Sequence, residues 1–301
     1  MNKDFSGVLP VVPTPFTDDN KVDHTSLANV VKFAISAEAS ALVYPGVASE
    51  DIQLSAEERA ACMATVVEAN EGRLPIIAGV NSNDAPVMVE MASLMSSLGA
   101  TGIMAMAVPS MAEKGFEHWF QKISDATGGL PIVLQNLFAP RGADLSAEEM
   151  LDLSEKVEAI RFVKEEGIPS GPKVTAISKG VGKSIDAVIG GGGARYVFEE
   201  LERGAIATMP AIELLELHVA LVKAYQAGKR NEALALYGKS LPILLMQAPY
   251  RMRLTKLILK HRGIFQTDHV RENLPILDDI SKKLILEMYE NLELTKDTID
   301  A

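Results

Sequence analysis

Residues 131–164 read PIVLQNLFAPRGADLSAEEMLDLSEKVEAIRFVK, two apolar runs on either side of a helix-forming stretch. The runs, Pro131 to Gln135 and Ile160 to Lys164, are rich in Ile, Val and Leu without regular polar alternation, the pattern of parallel strands buried on both faces. Between them, Ser146-x-x-Glu149 is a capping box, whose side chains satisfy backbone donors left over at a helix start. The unit is strand, helix, strand. Its cadence recurs at Gly7 to Pro13, Ala41 to Tyr44, Pro75 to Val80, Gly102 to Val108, Ile185 to Ile189 and Ala205 to Met209, eight runs in all. Amphipathic segments separate them. One opens on a second capping box, Ser55-x-x-Glu58, and others close on small residues, as in Leu98-Gly99-Ala100 and Arg203-Gly204-Ala205.

Eight such units, each with a right-handed crossover and a helix over its strand, predict an α/β chain in the (β/α)8 TIM-barrel class. A doubly wound open sheet is the alternative, and it would usually carry a Gly-rich turn after its first strand. The barrel units are complete by about Ile212, which gives an expected barrel over residues 1–212. Residues 213–301 then form a C-terminal helical layer, since Leu214, Leu215, His218, Leu221, Val222 and Tyr225 keep helical spacing.

The 301 residues carry a formal charge of -11 and show no cluster of Lys and Arg, which argues against nucleic acid as a partner. Cys62 is the sole cysteine, so no intrachain disulfide or thiolate cage can form, and a cytoplasmic address is expected. The opening Met1-Asn2-Lys3-Asp4-Phe5 has no apolar leader, and no later run has membrane-spanning length. The histidines, His24, His118, His218, His261 and His269, lack metal-ligand spacing, so no metal is expected. Met104, Met106 and Met111 read as core filler and Trp119 as a packing anchor.

In a barrel of this type the active site forms where strands end and the following loops begin. The termini offer Thr14-Pro15-Phe16, Gly46 to Glu50, Asn81-Ser82-Asn83, Gln135-Asn136, Lys164-Glu165-Glu166, Gly190 to Gly193 and Thr208-Met209. Lys164 is the amine among them. Strand alternation puts Lys164 and Glu166 on one side and Glu165 on the other. An apolar surround disfavours the charged amine and favours the neutral form that attacks a ketone, which makes Lys164 a Schiff-base candidate. The plainer alternative is a strand-end ion pair between Lys164 and a carboxylate. Gly190 to Gly193 could cradle an anion or let the backbone pack closely against a substrate.

Taken in order, Gly7-Val8, Thr14-Pro15-Phe16, the Gly46 to Glu50 loop, Pro75 to Val80, Asn136 to Leu145, Lys164-Glu165 and Gly190 resemble the dihydrodipicolinate synthase and N-acetylneuraminate lyase family. These are class I, Schiff-base barrel enzymes, and the resemblance runs over essentially the whole chain. It implies that Lys164 forms an imine with the keto carbon of a small 2-oxo acid. It further implies a homodimer or homotetramer without a cofactor. The departures narrow the chemistry. Gln135 stands where typical members carry a proton-relaying tyrosine, and Gln cannot act as acid or base at neutral pH. Val47 and Ala48 replace the family threonines, leaving Ser49 as the nearby hydroxyl, and Ser110 and Met111 replace a tyrosine pair.

Glu166 stands where a small residue is usual. With Ser49-Glu50, Leu54-Ser55, Glu58-Arg59, Gln135 and the Gly204 to Pro210 stretch, it makes the chain similar to the 2-keto-3-deoxyarabonate dehydratase branch. That similarity implies a dehydratase acting on a 2-keto-3-deoxy sugar acid, with Lys164 and Glu166 catalytic. Thr14, Ala48, Ser49, Gln135, Gly190, Gly191 and Ile206 would bind the substrate. A pyruvate-dependent aldolase, a dihydrodipicolinate synthase-like condensing enzyme and a non-catalytic 2-oxo acid binding barrel stay open.

Overall fold

Apolar runs become strands only where their backbones can pair, and prolines decide several of the boundaries. The computed structural model describes residues 5–294; residues 1–4 of the opening stretch read above, and 295–301 of the tail, lie outside it. Strands and helices alternate as β1 (Gly7–Val8), α1 (His24–Ser36), β2 (Leu42–Val43), α2 (Ala56–Asn70), β3 (Ile76–Gly79), α3 (Ala85–Ser97), β4 (Gly102–Met106) and α4 (Phe116–Ala126). They continue as β5 (Ile132–Asn136), α5 (Ala147–Lys156), β6 (Ile160–Glu165), α6 (Ser170–Ile177), β7 (Ala187–Gly190), α7 (Val197–Glu202), β8 (Ala205–Thr208) and α8 (Leu215–Gln226). Three more helices follow, α9 (Arg230–Tyr250), α10 (Met252–His261) and α11 (Asp279–Glu290). The sheet order is β1-β8-β7-β6-β5-β4-β3-β2, so from β2 to β8 neighbours in the chain are neighbours in the sheet. This is a (β/α)8 barrel with C-terminal helices.

One compact unit comprises residues 5–6, 75–192 and 196–209. Its strands β3 to β8 pair in parallel, and Ile77, Ile103, Val133, Val163 and Val188 are wholly buried between them. Two register shifts matter. Ile132 pairs with Ile160 and Val133 with Phe162, so Arg161 is passed over; it donates instead from Nε to Asp186 Oδ2 at 3.0 Å. Ile206 is skipped in the same way between β7 and β8. Such shifts re-aim the residues that follow. Beyond the first, Gln135 lies opposite Lys164 and Asn136 opposite Glu165.

The other unit comprises residues 7–74, 193–195 and 210–294. Here the sequence expectation of one long first strand is corrected: β1 stops at Val8, and Val11 makes isolated bridges to Val43 and Ala211. Pro10 and Pro13 have no N–H to give a ladder, which ends the strand early. Strand seven also starts later than expected, at Ala187, because Ile185 is used in a tight turn and bridges Val181. In the helical tail, α10 buries Leu254, Leu257, Ile258 and, unusually, Lys256.

Candidate active site

The row Met106, Gln135, Lys164, Ile189 runs across β4 to β7 in register, so two polar side chains enter a line that is otherwise apolar. Lys164 is 4% exposed. Its Nζ lies 3.1 Å from Glu166 Oε2, and the Glu166 side chain keeps 17% of its surface open. Glu166 follows β6 directly, with its backbone N–H donating to Asn136 O at 3.1 Å, which continues the strand pattern one residue further. Gln135 Nε2 donates to the same Glu166 Oε2. Burial opposes the charge on Glu166, but the positive charge of Lys164, the Gln135 amide and the Gly192 N–H together hold its carboxyl below the usual range. Amine and carboxylate thus form a close ion pair, the amine buried and the carboxylate partly open.

Behind Gln135 stands Asn81, whose Nδ2 donates to Gln135 Oε1 at 2.8 Å and whose Oδ1 accepts from Met106 N at 2.8 Å. Sequence reading placed Asn81 at a strand end but assigned it no role.

The neighbouring row, Asn136, Glu165, Gly190, Thr208, faces the other way. Glu165 is wholly buried and accepts from Asn136 Nδ2 at 2.8 Å and from Gly167 N at 2.5 Å. Burial pushes its carboxyl up against those hydrogen bonds. Asn136 also pins the following loop, accepting from Leu145 N at 2.9 Å and donating to Leu145 O at 3.1 Å. The Thr208 hydroxyl is buried without a hydrogen-bond partner among the described residues.

Gly190 and Gly191, expected to let a substrate approach, pack against carboxylates. A Cβ on Gly190 would strike Glu200 Oε2, and one on Gly191 would strike Glu166 Cγ and the Glu165 carbonyl. Glu200 reaches this place from α7, is 1% exposed and accepts from Ser170 Oγ at 2.8 Å. Burial pushes its carboxyl up to about 7, against Ser170 and Gly191, with the charges of Glu166 and Glu165 adding to the rise. Nothing in the sequence separates Glu200 from the exposed acids of an ordinary helix. Ile206, the other residue expected here, is half-buried within β8 at the register shift.

Three of the expected substrate contacts belong to the other unit. Thr14 Oγ1 donates to Ser49 O at 2.8 Å and lies 3.0 Å from Tyr44 Oη. Ser49 Oγ donates to Val12 O at 2.5 Å and accepts from Gly46 N at 3.0 Å, so both hydroxyl roles are in use. Ala48 packs on Ala211, Met252, Val270 and Leu274. Glu50, next in the loop, meets Lys256 Nζ at 2.5 Å, a pairing across 206 positions that sequence reading missed. Among the described residues, no cluster of three His, Cys, Asp or Glu is placed to hold a metal, and no helix is long and apolar enough to cross a membrane.

A family model described as the dihydrodipicolinate synthetase family matches residues 4–289. The chain is 25% identical to L-2-keto-3-deoxyarabonate dehydratase of Azospirillum brasilense over 293 residues, 95% of this chain and 94% of that protein. It is 33% identical to 4-hydroxy-tetrahydrodipicolinate synthase of Rickettsia bellii over 171 residues, covering 56% of this chain and 57% of that one. Among solved structures, dihydrodipicolinate synthase from Rhodopseudomonas palustris superposes with a TM-score of 0.88 at 23% identity, over 96% of this chain and 98% of that one.

Proposed function

The chain belongs to the dihydrodipicolinate synthetase family, a family of Schiff-base lyases and synthases, and we propose that within it this protein is a carbon–oxygen lyase that dehydrates a small 2-keto-3-deoxy sugar acid through an imine at Lys164. The observation that carries the reading is Glu166 Oε2 at 3.1 Å from Lys164 Nζ, with Gln135, a side chain that cannot transfer protons, beside it. The likeness to the Azospirillum dehydratase over nearly the full length supports the same choice.

The steps follow from the pair. Glu166 takes a proton from Lys164, freeing the amine to attack the C2 carbonyl of the substrate. It returns that proton to the carbinolamine hydroxyl, which leaves as water and gives the iminium. The iminium acidifies C3, and the Glu166 carboxylate removes a C3 proton to form the enamine. The enamine expels the C4 hydroxyl, protonated by Glu166, as a second water. Hydrolysis consumes one water and releases a 2-oxo acid lighter by one water overall. Gly191 fits this scheme, because any side chain there would displace Glu166.

Glu166→Gln tests the assignment. The imine at Lys164 should form more slowly but still be trapped on long incubation, while turnover falls by roughly two to four orders of magnitude, the usual size of a general acid–base contribution. In heavy water the unmodified enzyme should exchange the C3 hydrogens of a bound 2-keto-3-deoxy acid, and the variant should not. The match to the Rickettsia synthase favours a second reading, a condensing or aldol enzyme. Release of pyruvate and an aldehyde, with Glu166→Gln nearly as active, would select it.

A further inference from the structure

The side chains that hold Glu166 form a line whose direction is set at its far end. Met106 N–H can only donate, so the Asn81 atom facing it at 2.8 Å must be the amide oxygen. Asn81 Nδ2 is thereby aimed at Gln135 and fixes the atom it meets at 2.8 Å as Oε1. Gln135 is left with only Nε2 to offer Glu166. Four successive strand ends, those of β3 to β6, contribute to this line.

We propose that Asn81 is a positioning residue that locks Gln135 as a donor toward Glu166 and so keeps Glu166 ionised, the form that accepts a proton. The inference rests on Lys164 and Glu166 acting as the acid–base pair described above. A neighbour that can only donate stabilises a carboxylate and offers nothing to the proton of a carboxylic acid. Lys164 on β6 and the Gly192 N–H favour the same form, whereas Glu200 on α7, whose carboxyl burial pushes up to about 7, holds its proton where Glu166 titrates and adds no opposing charge there. Glu165, adjacent on β6, points to the other face and is bound by Asn136 and Gly167.

The test is a carbon-13 titration of the Glu166 carboxyl, assigned with Glu166→Gln, in the unmodified protein and in Asn81→Leu and Asn81→Asp. Leucine keeps the bulk, removes the lock and adds no charge, so Gln135 can turn its oxygen toward a protonated Glu166. Aspartate still satisfies Met106 N–H but accepts from Gln135 Nε2, which turns Oε1 toward Glu166. The Glu166 midpoint should rise by about one unit with leucine and further with aspartate. The acid limb of the kcat profile should rise with it, and trapping at Lys164 should persist. In the unmodified protein the Gln135 amide protons should shift at the Glu166 midpoint, a check that needs no variant. Should Asn81→Asp not fold, Asn81→Leu decides. A midpoint in folded Asn81→Leu equal to that of the unmodified protein overturns the proposal, as does a Gln135 amide indifferent to Glu166. Because the titration needs no substrate, a raised midpoint without dehydration would sink the functional reading alone.

Discussion

Two buried lysines in this protein each meet a glutamate, and their surroundings differ in a way that separates structure from chemistry. Lys256 and Glu50 lie 2.5 Å apart with neither side chain exposed. Lys256 Nζ also donates to His269 O at 3.0 Å and sits 4.2 Å from the centre of the Phe16 ring. Glu50 Oε2 accepts the backbone N–H groups of Arg271 and Glu272 at 2.9 and 2.8 Å. Its own backbone is in the left-handed region at φ 55, a conformation that costs a non-glycine residue energy and persists where the surroundings enforce it. Lys164 and Glu166 are 3.1 Å apart, Glu166 remains 17% open, and its other side-chain contact is the Gln135 amide. Burial pulls Lys256 down to about 8 despite Glu50, so a lowered pKa alone would nominate Lys256 as the nucleophile. Geometry argues otherwise. The Lys256 and Glu50 side chains are closed off on every side, whereas Glu166 keeps an open edge beside Lys164 at which a substrate could enter.

The largest expected effect breaks the comparison by removing each lysine in turn. Lys256→Met should cost about 3–5 kcal/mol of stability, the usual result of leaving a buried charge without its partner. Lys164→Met should abolish turnover yet cost no more than about 1–2 kcal/mol, because catalytic arrangements are seldom optimised for stability. Denaturant unfolding of the two variants side by side reads this out, and equal losses would erase the distinction. Next in size is Gln135→Ala, which should slow turnover on a 2-keto-3-deoxy acid by an amount equivalent to roughly 1–3 kcal/mol, leaving Asn81 and Glu166 short of a partner. An unchanged kcat/KM would remove Gln135 from the site.

An effect confined to the pH dependence of stability concerns Glu200, a buried acid whose carboxyl is pushed up from 4.5 to about 7 on folding. Between those values the folded chain holds a proton that the unfolded chain has released. The Glu200 contribution therefore favours the fold at low pH and is lost as pH rises through that window, by on the order of 3 kcal/mol in total. Glu200→Gln should gain stability relative to the unmodified protein at pH 8 and much less at pH 5. Thermal unfolding at the two pH values checks the sign; a difference that is the same at both would show that Glu200 titrates normally.

What could be read from the chain alone follows from the range of each interaction. The strands were legible because apolar runs of this kind need cover on both faces, and the Lys164 and Glu166 pairing was legible because strand alternation is local. The first strand was overcalled because an apolar run was weighed without the missing N–H groups of Pro10 and Pro13. Gly190 and Gly191 could be marked as places of close approach, but their neighbours Glu200 and Glu166 arrive from other segments. Asn81 looked like any polar loop residue until the register of β4 and β5 put Met106 N and Gln135 on either side of it. The Lys256 and Glu50 pair spans 206 positions and leaves no local trace.

Borohydride trapping tests the central claim most directly, since it asks which of the two lysines makes an imine. The protein would be incubated with pyruvate and a panel of longer 2-oxo acids, reduced, digested and mapped by mass spectrometry. A stable adduct on the peptide carrying Lys164, and none on the peptide carrying Lys256, is the expected result. An adduct on Lys256 instead, or no adduct on the folded protein across the whole panel, would contradict the account.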